Sequence, residues 1–247
     1  EEMFLKIRSK NIRYIFFNTT YRALMFLLYH RADYIVTVSE SIASRIKKLF
    51  LVSPHKVKVI YNPVNINKIK ELCREKDLLL NFNDVLPCIG TVSRLSPEKG
   101  ISFLIQGFKV LLDKIDARLI IVGDGIERLR LEQMVKKLEI QEKVIFTGSV
   151  DNPFKYMVKM EVFILPSLWE GFPNVILEAM ACGVPVIASD SAKGVREAIN
   201  DGVNGLLIKP GSSSDIAEST YNLLSNKEKR RKIIEEAFSG EEVSDAH

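Results

Sequence analysis

Cysteine, histidine and tryptophan are scarce here: three, three and one in 247 residues. Cys73, Cys88 and Cys182 are odd in number, widely spaced and without a C-x-x-C pair. That argues against a disulfide framework or a zinc site and favours a reducing compartment. His30, His55 and His247 form no cluster, so no structural metal is expected. No apolar run reaches the ~18 residues that a membrane span needs. The nearest, Ala23 to Tyr29, is followed at once by His30 and Arg31. A leader with a cleavage site is also missing, and Met3 follows two glutamates, so the chain reads as a segment cut from something longer or an odd gene product. Neither sign of charge dominates. The net charge of +4 suits an anionic ligand or an acidic membrane surface. Without a dense Lys/Arg stripe interleaved with aromatics, nucleic acid is not an expected partner.

What is present is alternation. Short runs rich in Val, Ile and Leu cover Val85–Val92, Arg118–Val122, Lys143–Phe146, Val162–Leu165, Val184–Ala188 and Gly205–Ile208. Such runs fit buried parallel strands. Between them Ile101–Ile115, Ile126–Leu138 and Ile216–Leu224 carry apolar residues at helical spacing. Strand–helix alternation predicts an α/β fold, a doubly wound parallel sheet over residues 62–225 with helices on both faces. Residues 1–61 read differently. An amphipathic helix is expected over 21–31, strands over Tyr34–Val38 and Val57–Ile60, and a helix over Ser41–Phe50 capped near Ser39. That is too little to bury a core well, so it reads as the incomplete end of a preceding domain plus a linker. Residues 226–247 read as a final helix and a polar tail.

In such sheets ligands sit beyond the carboxyl ends of the strands. After Val92, Ser96 is a candidate N-cap and Pro97 a first helical residue. Arg94 then leaves the strand tip and Lys99 falls in the first turn. Either the two cations converge on a phosphate at a helix N-terminus, or both are solvated surface charges. After Val122, Gly123-Asp124-Gly125 allows close backbone approach, although the full G-x-G-x-x-G pattern is absent and a plain turn is the simpler reading. After Phe146, Asn152 or Asp151 can cap the next helix. After Leu165 comes a turn, Glu170-Gly171-Phe172-Pro173-Asn174, whose N–H groups open a helix over about 175–181 and make an anion site. Glu170 precedes the turn and Glu178 lies within the helix. Two carboxylates beside an anion site suit a ligand with both phosphate and hydroxyl groups. A solvated helix residue is the bland alternative for Glu178. A glycoside-hydrolase acid pair is a competitor that the phosphate-like surroundings disfavour.

The segments ADYIVTVSE, VIYNPVN, GTVSRLSPEKG, LIIVGDG, VIFTGSV, LPSLWEGFPNVILEAMACGVPVIAS and DGVNGLLI occur in that order from Ala32 onward. Together they resemble the C-terminal half of family 4 glycosyltransferases, which have the two-domain GT-B fold. The resemblance implies that Arg94 and Lys99 bind the donor diphosphate and that Glu178 holds the ribose. Glu170 and the Gly171, Phe172, Pro173 and Asn174 backbone would meet the donor sugar and phosphate. Val150 would lie in the loop receiving the base, and Gly123 would border the nucleotide. Glu197 matches a family acid of unassigned role. The resemblance further implies a retaining transfer from a nucleotide-diphosphate sugar to a glycan or lipid-linked acceptor in polysaccharide biosynthesis. No metal and no resident cofactor are implied, and the expected location is cytoplasmic. Lys6–Arg31, mixing basic and aromatic residues, is either a peripheral contact with the cytoplasmic membrane face or a helix face turned toward a partner domain. Two departures stand out. Only about thirty residues precede ADYIVTVSE, and Lys193-Gly194 replaces a usual Gly-Gly. A non-catalytic or vestigial nucleotide-sugar-binding module is therefore the alternative.

Overall fold

A computed structural model describes residues 12–75 and 86–239. The chain divides into two compact units, Glu1–Asn62 and Pro63–His247.

In the first unit, α1 (Ile12–Arg31) leads to β1 (Ile35–Thr37), α2 (Glu40–Phe50) and β2 (Val57–Val59). The two strands pair in parallel, Ile35 beside Val57 and Thr37 beside Val59. Ser39 caps α2 as its sequence predicts, its side chain accepting a bond from the Ile42 N–H. Lys56 donates from Nζ to the His30 and Ala32 carbonyls at 3.0 and 2.9 Å, a cation placed against the negative end of α1. A small core gathers Ile35, Ala43, Val52 and Val57. The expected amphipathic helix over 21–31 needs correction. The helix exists, but Tyr21, Leu24, Phe26, Leu27 and Leu28 are all exposed. Its apolar residues run consecutively instead of at three-to-four spacing, so they surround the helix and form no stripe. Tyr29 meets α2 edge-on to Phe50, ring centroids 5.0 Å apart. The part of the basic–aromatic segment before residue 12 lies outside the described residues, as do Val85 and the tail from 240 onward.

The second unit runs α3 (Ile66–Leu72), β3 (Cys88–Val92), α4 (Ile101–Leu112), β4 (Arg118–Val122), α5 (Arg128–Lys137) and β5 (Val144–Gly148). It continues through α6 (Phe154–Met157), β6 (Val162–Leu165), α7 (Asn174–Ala181), β7 (Val186–Ser189), α8 (Lys193–Ala198), β8 (Leu206–Ile208), α9 (Ser213–Ser225) and α10 (Lys227–Ser239). Its six strands are all parallel, in the order β5-β4-β3-β6-β7-β8. This is the doubly wound, Rossmann-like sheet that the alternation predicts. The order reverses between β3 and β6, which makes that gap the topological switch point.

Strand side chains alternate between two cores. Ile89, Leu119, Ile121, Val162, Ile164 and Ile187 pack with α4, α5 and α9 on one face. Cys88, Ile120, Val122, Phe163, Leu165, Val186 and Ala188 pack with α6, α7 and α8 on the other. Strands covered on both faces have no polar side to show, which is why they read as unbroken apolar runs. The helix over 227–239, set apart in the sequence, joins this unit through Ile233, buried in the first of these cores. Among the described residues no helix is long and apolar enough to cross a membrane.

Candidate functional site

The loops after β3 and β6 emerge side by side at the switch point and are joined through the main chain. Leu168 N–H donates to the Glu98 carbonyl at 2.8 Å. Gly100 (φ 65°) lies so close that a Cβ there would stand 2.2 Å from the Pro166 carbonyl oxygen. No other residue type fits that approach. Glycine also breaks the chain's path, so one sequence expectation is corrected here. Pro97–Lys99 is a separate 3₁₀ turn, and α4 begins only at Ile101. Ser96 holds the N-cap position of that short turn, its carbonyl accepting from the Lys99 N–H at 3.0 Å, but its side chain makes no cap bond. Its hydroxyl donates to the Glu98 carboxylate at 2.6 Å. That bond first, then a bond from the backbone, holds the Glu98 carboxyl below its ordinary value.

Lys99 reaches across this junction. Its Nζ donates to Glu170 Oε1 at 2.6 Å, and Ser167 Oγ donates to the same oxygen at 2.7 Å. Side-chain exposure is 21% for Lys99 and 10% for Glu170. A charge pair this dry is held in register by its hydrogen bonds and excludes the loose surface reading for Lys99. Arg94 is different. It is exposed, and its charge acts on the Glu98 carboxyl as a weaker influence.

The β4 loop joins the same surface. Gly123 (φ 126°) packs on the Ser93 carbonyl, which a Cβ would meet at 2.0 Å. Its N–H donates to the Gly148 carbonyl at 2.9 Å. Leu95 N–H donates to Asp124 O at 2.8 Å, and Glu127 N–H to Leu95 O at 3.0 Å. The tips of β3, β4 and β5 are thus tied to one another. Beyond Gly148, Val150 is half-buried against the second core. Asn152 Oδ1 accepts from the Phe154 and Lys155 N–H groups and caps α6, as its sequence predicts. Its Nδ2 donates to the Leu72 carbonyl and to Glu75 at 2.9 and 2.8 Å.

On the other side, no side chain caps the start of α7, and Pro173 precedes it in an extended-like conformation. The Gly171–Asn174 turn is braced from α8. A Cβ on Gly194 would stand 1.9 Å from the Gly171 carbonyl oxygen. Glu178 lies one turn into α7, half-buried, and burial pushes its carboxyl above the ordinary value. Glu197 is exposed on α8. Asp190 and Arg196 form a charge pair beside it.

The structure therefore brings Lys99 and Glu170 into contact, sets Gly171–Asn174 against α8 and lines Gly123 along the strand tips. It leaves Arg94 and Glu197 on the surface. Sequence reasoning did not foresee Ser167, which is fully buried and orients Glu170, or Gly194 as the brace of the turn. The signal for Ser167 was its place three residues before an acid at a strand tip. The Ser93 hydroxyl is buried at the β3 tip without a hydrogen-bond partner, a polar group suited to a ligand.

The chain matches the family model for glycosyl transferases group 1 over residues 79–239 and that for glycosyltransferase family 4 over residues 7–68. It is 32% identical over 208 residues to the Campylobacter jejuni N-acetylgalactosamine-N,N'-diacetylbacillosaminyl-diphospho-undecaprenol 4-alpha-N-acetylgalactosaminyltransferase, covering 84% of this chain and 55% of that protein. Among solved structures, Anabaena Alr3699/HepE in complex with UDP superposes with a TM-score of 0.79 at 27% identity, over 91% of this chain and 63% of that one. The C-terminal domain of LpcC, a Francisella tularensis glycosyl transferase group 1 family protein, superposes with a TM-score of 0.57 at 30% identity, over 62% of this chain and 85% of that domain. The chain spans 55% of its curated Campylobacter relative.

Proposed function

This chain belongs to the glycosyl transferases group 1 family, with the GT-B fold, and from that premise we propose that it binds a nucleoside-diphosphate sugar at the β3/β6 switch point. In this reading it moves the sugar to a glycan or lipid-linked acceptor with retention of anomeric configuration. The observation that carries the proposal is the Ser167–Glu170–Lys99 chain of hydrogen bonds, held in a nearly dry junction where the strand order reverses.

The roles follow from charge. Breaking the anomeric C–O bond builds negative charge on the departing diphosphate. Arg94, Lys99 and the N–H groups at the start of α7 stabilise it, and preorganised donors of this kind are worth on the order of 3 kcal/mol each. No divalent cation enters this reading. Glu170 serves the sugar while it holds Lys99 at the crevice. Glu178, one turn along, accepts from the ribose hydroxyls. Gly123 admits the nucleotide close to the backbone, and the loop around Val150 receives the base. The UDP of the Anabaena complex supports uridine as the first base to try.

A thermal-shift titration with UDP, GDP, ADP and their sugar conjugates, without added metal, tests the site. Ligand at about 100 times its Kd adds about 2.7 kcal/mol of stability. The expected result is a shift with one base, lost in Arg94→Ala. A cooperative melt that no nucleotide moves would sink the donor-site assignment. Turnover is scored separately, by supplying the bound nucleotide sugar with a lipid-linked acceptor. Tight binding without turnover would favour the non-catalytic module. A peripheral membrane contact through α1 rests on exposed Tyr21, Leu24, Leu27 and Leu28. Failure to pellet with anionic liposomes at low salt removes it.

A further inference from the structure

Away from the crevice, two of the three cysteines meet. Cys73 closes α3 and Cys182 closes α7. Their Sγ atoms lie 3.3 Å apart, across 109 residues of chain. Both are partly exposed, neither is in a disulfide, and neither takes part in the proposed transfer. A disulfide bond is about 2 Å long, so closure needs an approach of about 1 Å. The meeting is also braced. Asn152 Nδ2 donates to the Leu72 carbonyl, one residue before Cys73, and to Glu75, two residues after it. The third cysteine, Cys88, is buried in β3 within the second core and serves as an internal control.

We propose that Cys73 and Cys182 form a thiol-modification site that closes reversibly to an intramolecular disulfide, tying α3 to the helix that carries Glu178. The co-reactant is a small disulfide such as oxidised glutathione. The Cys73 thiolate attacks one sulfur of that disulfide, forming a mixed disulfide and expelling the first small thiolate. Cys182 then gives up its proton and attacks the Cys73 sulfur, expelling the second. Two cysteine thiols are oxidised to one disulfide, the small disulfide is reduced to two thiols, and the two cysteine protons end on those thiols. Burial, then Cys73 itself, pushes the Cys182 thiol well above its ordinary range. Cys182 N–H donates to the Glu178 carbonyl at 3.1 Å, so the bridge anchors the turn of α7 on which Glu178 stands.

The test uses the full chain, incubated folded with oxidised glutathione, then denatured and alkylated. The expected product is about 2 Da lighter before alkylation, keeps one alkylatable thiol and returns to three after dithiothreitol. Peptide mapping should join Cys73 to Cys182 and leave Cys88 free. The bridged form should melt about 5–10 °C higher, since the bridge closes a loop of over a hundred residues. Cys73→Ala and Cys182→Ala should each abolish the bridge, while Cys88→Ala should keep it. Three free thiols in the wild type, a stable glutathione adduct on Cys73, or a bridge through Cys88 would each overturn the proposal. Because mapping of the wild type decides it, poor folding of a variant leaves the test intact.

Discussion

Lys99 and Glu170 stand 71 residues apart in the chain and 2.6 Å apart in the fold, with Ser167 sharing the same carboxylate oxygen. This contact spans the loops after β3 and β6, so it belongs to the architecture as much as to the site. Removing either partner strands a charge in a junction with little water. Lys99→Ala and Glu170→Ala should each cost about 1–3 kcal/mol of stability. The double variant should cost less than their sum, with a coupling of about 1 kcal/mol or more. Urea unfolding of the four proteins measures it, and strict additivity would show the pair to be energetically idle.

Arg94 offers the contrast. It is exposed, so Arg94→Ala should leave the melting temperature unchanged in the absence of ligand. Nucleoside-diphosphate affinity should still fall at least tenfold, about 1.4 kcal/mol. Calorimetric titration of UDP with Arg94→Ala and Lys99→Ala separates a binding role from a structural one. Equal affinity in both variants and the wild type would remove the phosphate assignment.

Glu178 should show the cost of keeping a carboxylate where water is scarce. Burial raises its pKa in the folded state above the unfolded value, so the folded protein favours the protonated form. That gives a stability contribution that is intact at low pH and lost as pH rises from the unfolded pKa through the folded one, the reverse of a salt-bridged acid. At neutral pH Glu178→Gln should raise the melting temperature by a few degrees at most, the gain being limited by solvent around a half-buried group. It should weaken nucleotide binding at the same time. A melting temperature lowered by Glu178→Gln would show that the carboxylate is stabilised by the fold.

Glycine positions separate contact from strain. Gly194→Ala places a methyl group 1.9 Å from the Gly171 carbonyl oxygen, so α8 must retreat from the Gly171–Asn174 turn. A loss of about 1–3 kcal/mol is expected, together with weaker nucleotide binding. Gly202 has φ 76° and open space around it. Gly202→Ala should therefore cost about 1 kcal/mol of backbone strain and leave binding unchanged. Thermal melts with and without UDP check both, and identical behaviour would show that α8 does not brace the turn.

Asn152 caps α6 with one end and holds the close of α3 with the other, at 8% exposure. Asn152→Ala should cost about 1–3 kcal/mol. Protease susceptibility of residues 150–157 and of the stretch around Leu72 should rise together. A rise confined to one of them would mean that the two ends act independently.

The sheet was legible because its strands are covered on both faces. Arg118–Val122 and Val162–Leu165 match the apolar runs at both ends. Other strands begin late because neighbours that extend an apolar run do not extend a ladder: Pro185 precedes β7 and Pro87 precedes β3. A proline brings no N–H to the pairing. The Asn152 and Ser39 caps were readable, since a cap acts within three residues. Ser96 misled because Gly100, in a left-handed conformation, stops the turn before α4 starts. The Lys99–Glu170 contact, the Gly194 brace and the Cys73–Cys182 meeting were invisible for one reason. Each joins segments far apart in sequence, and only the order of the strands puts them side by side.

That order also sets a sequence of events. β3, β4 and β5 follow one another along the chain and pair as neighbours, and β6, β7 and β8 do the same. The seam between the two halves is β3 with β6, where Ile89 meets Val162. Its closure demands the longest loop of any pairing in the sheet and so carries the largest entropic delay. The crevice does not exist until the seam is shut. Under the proposed function a nucleotide grips only a chain whose two halves have already joined, so its influence falls on how long the finished fold lasts and not on how quickly it is reached.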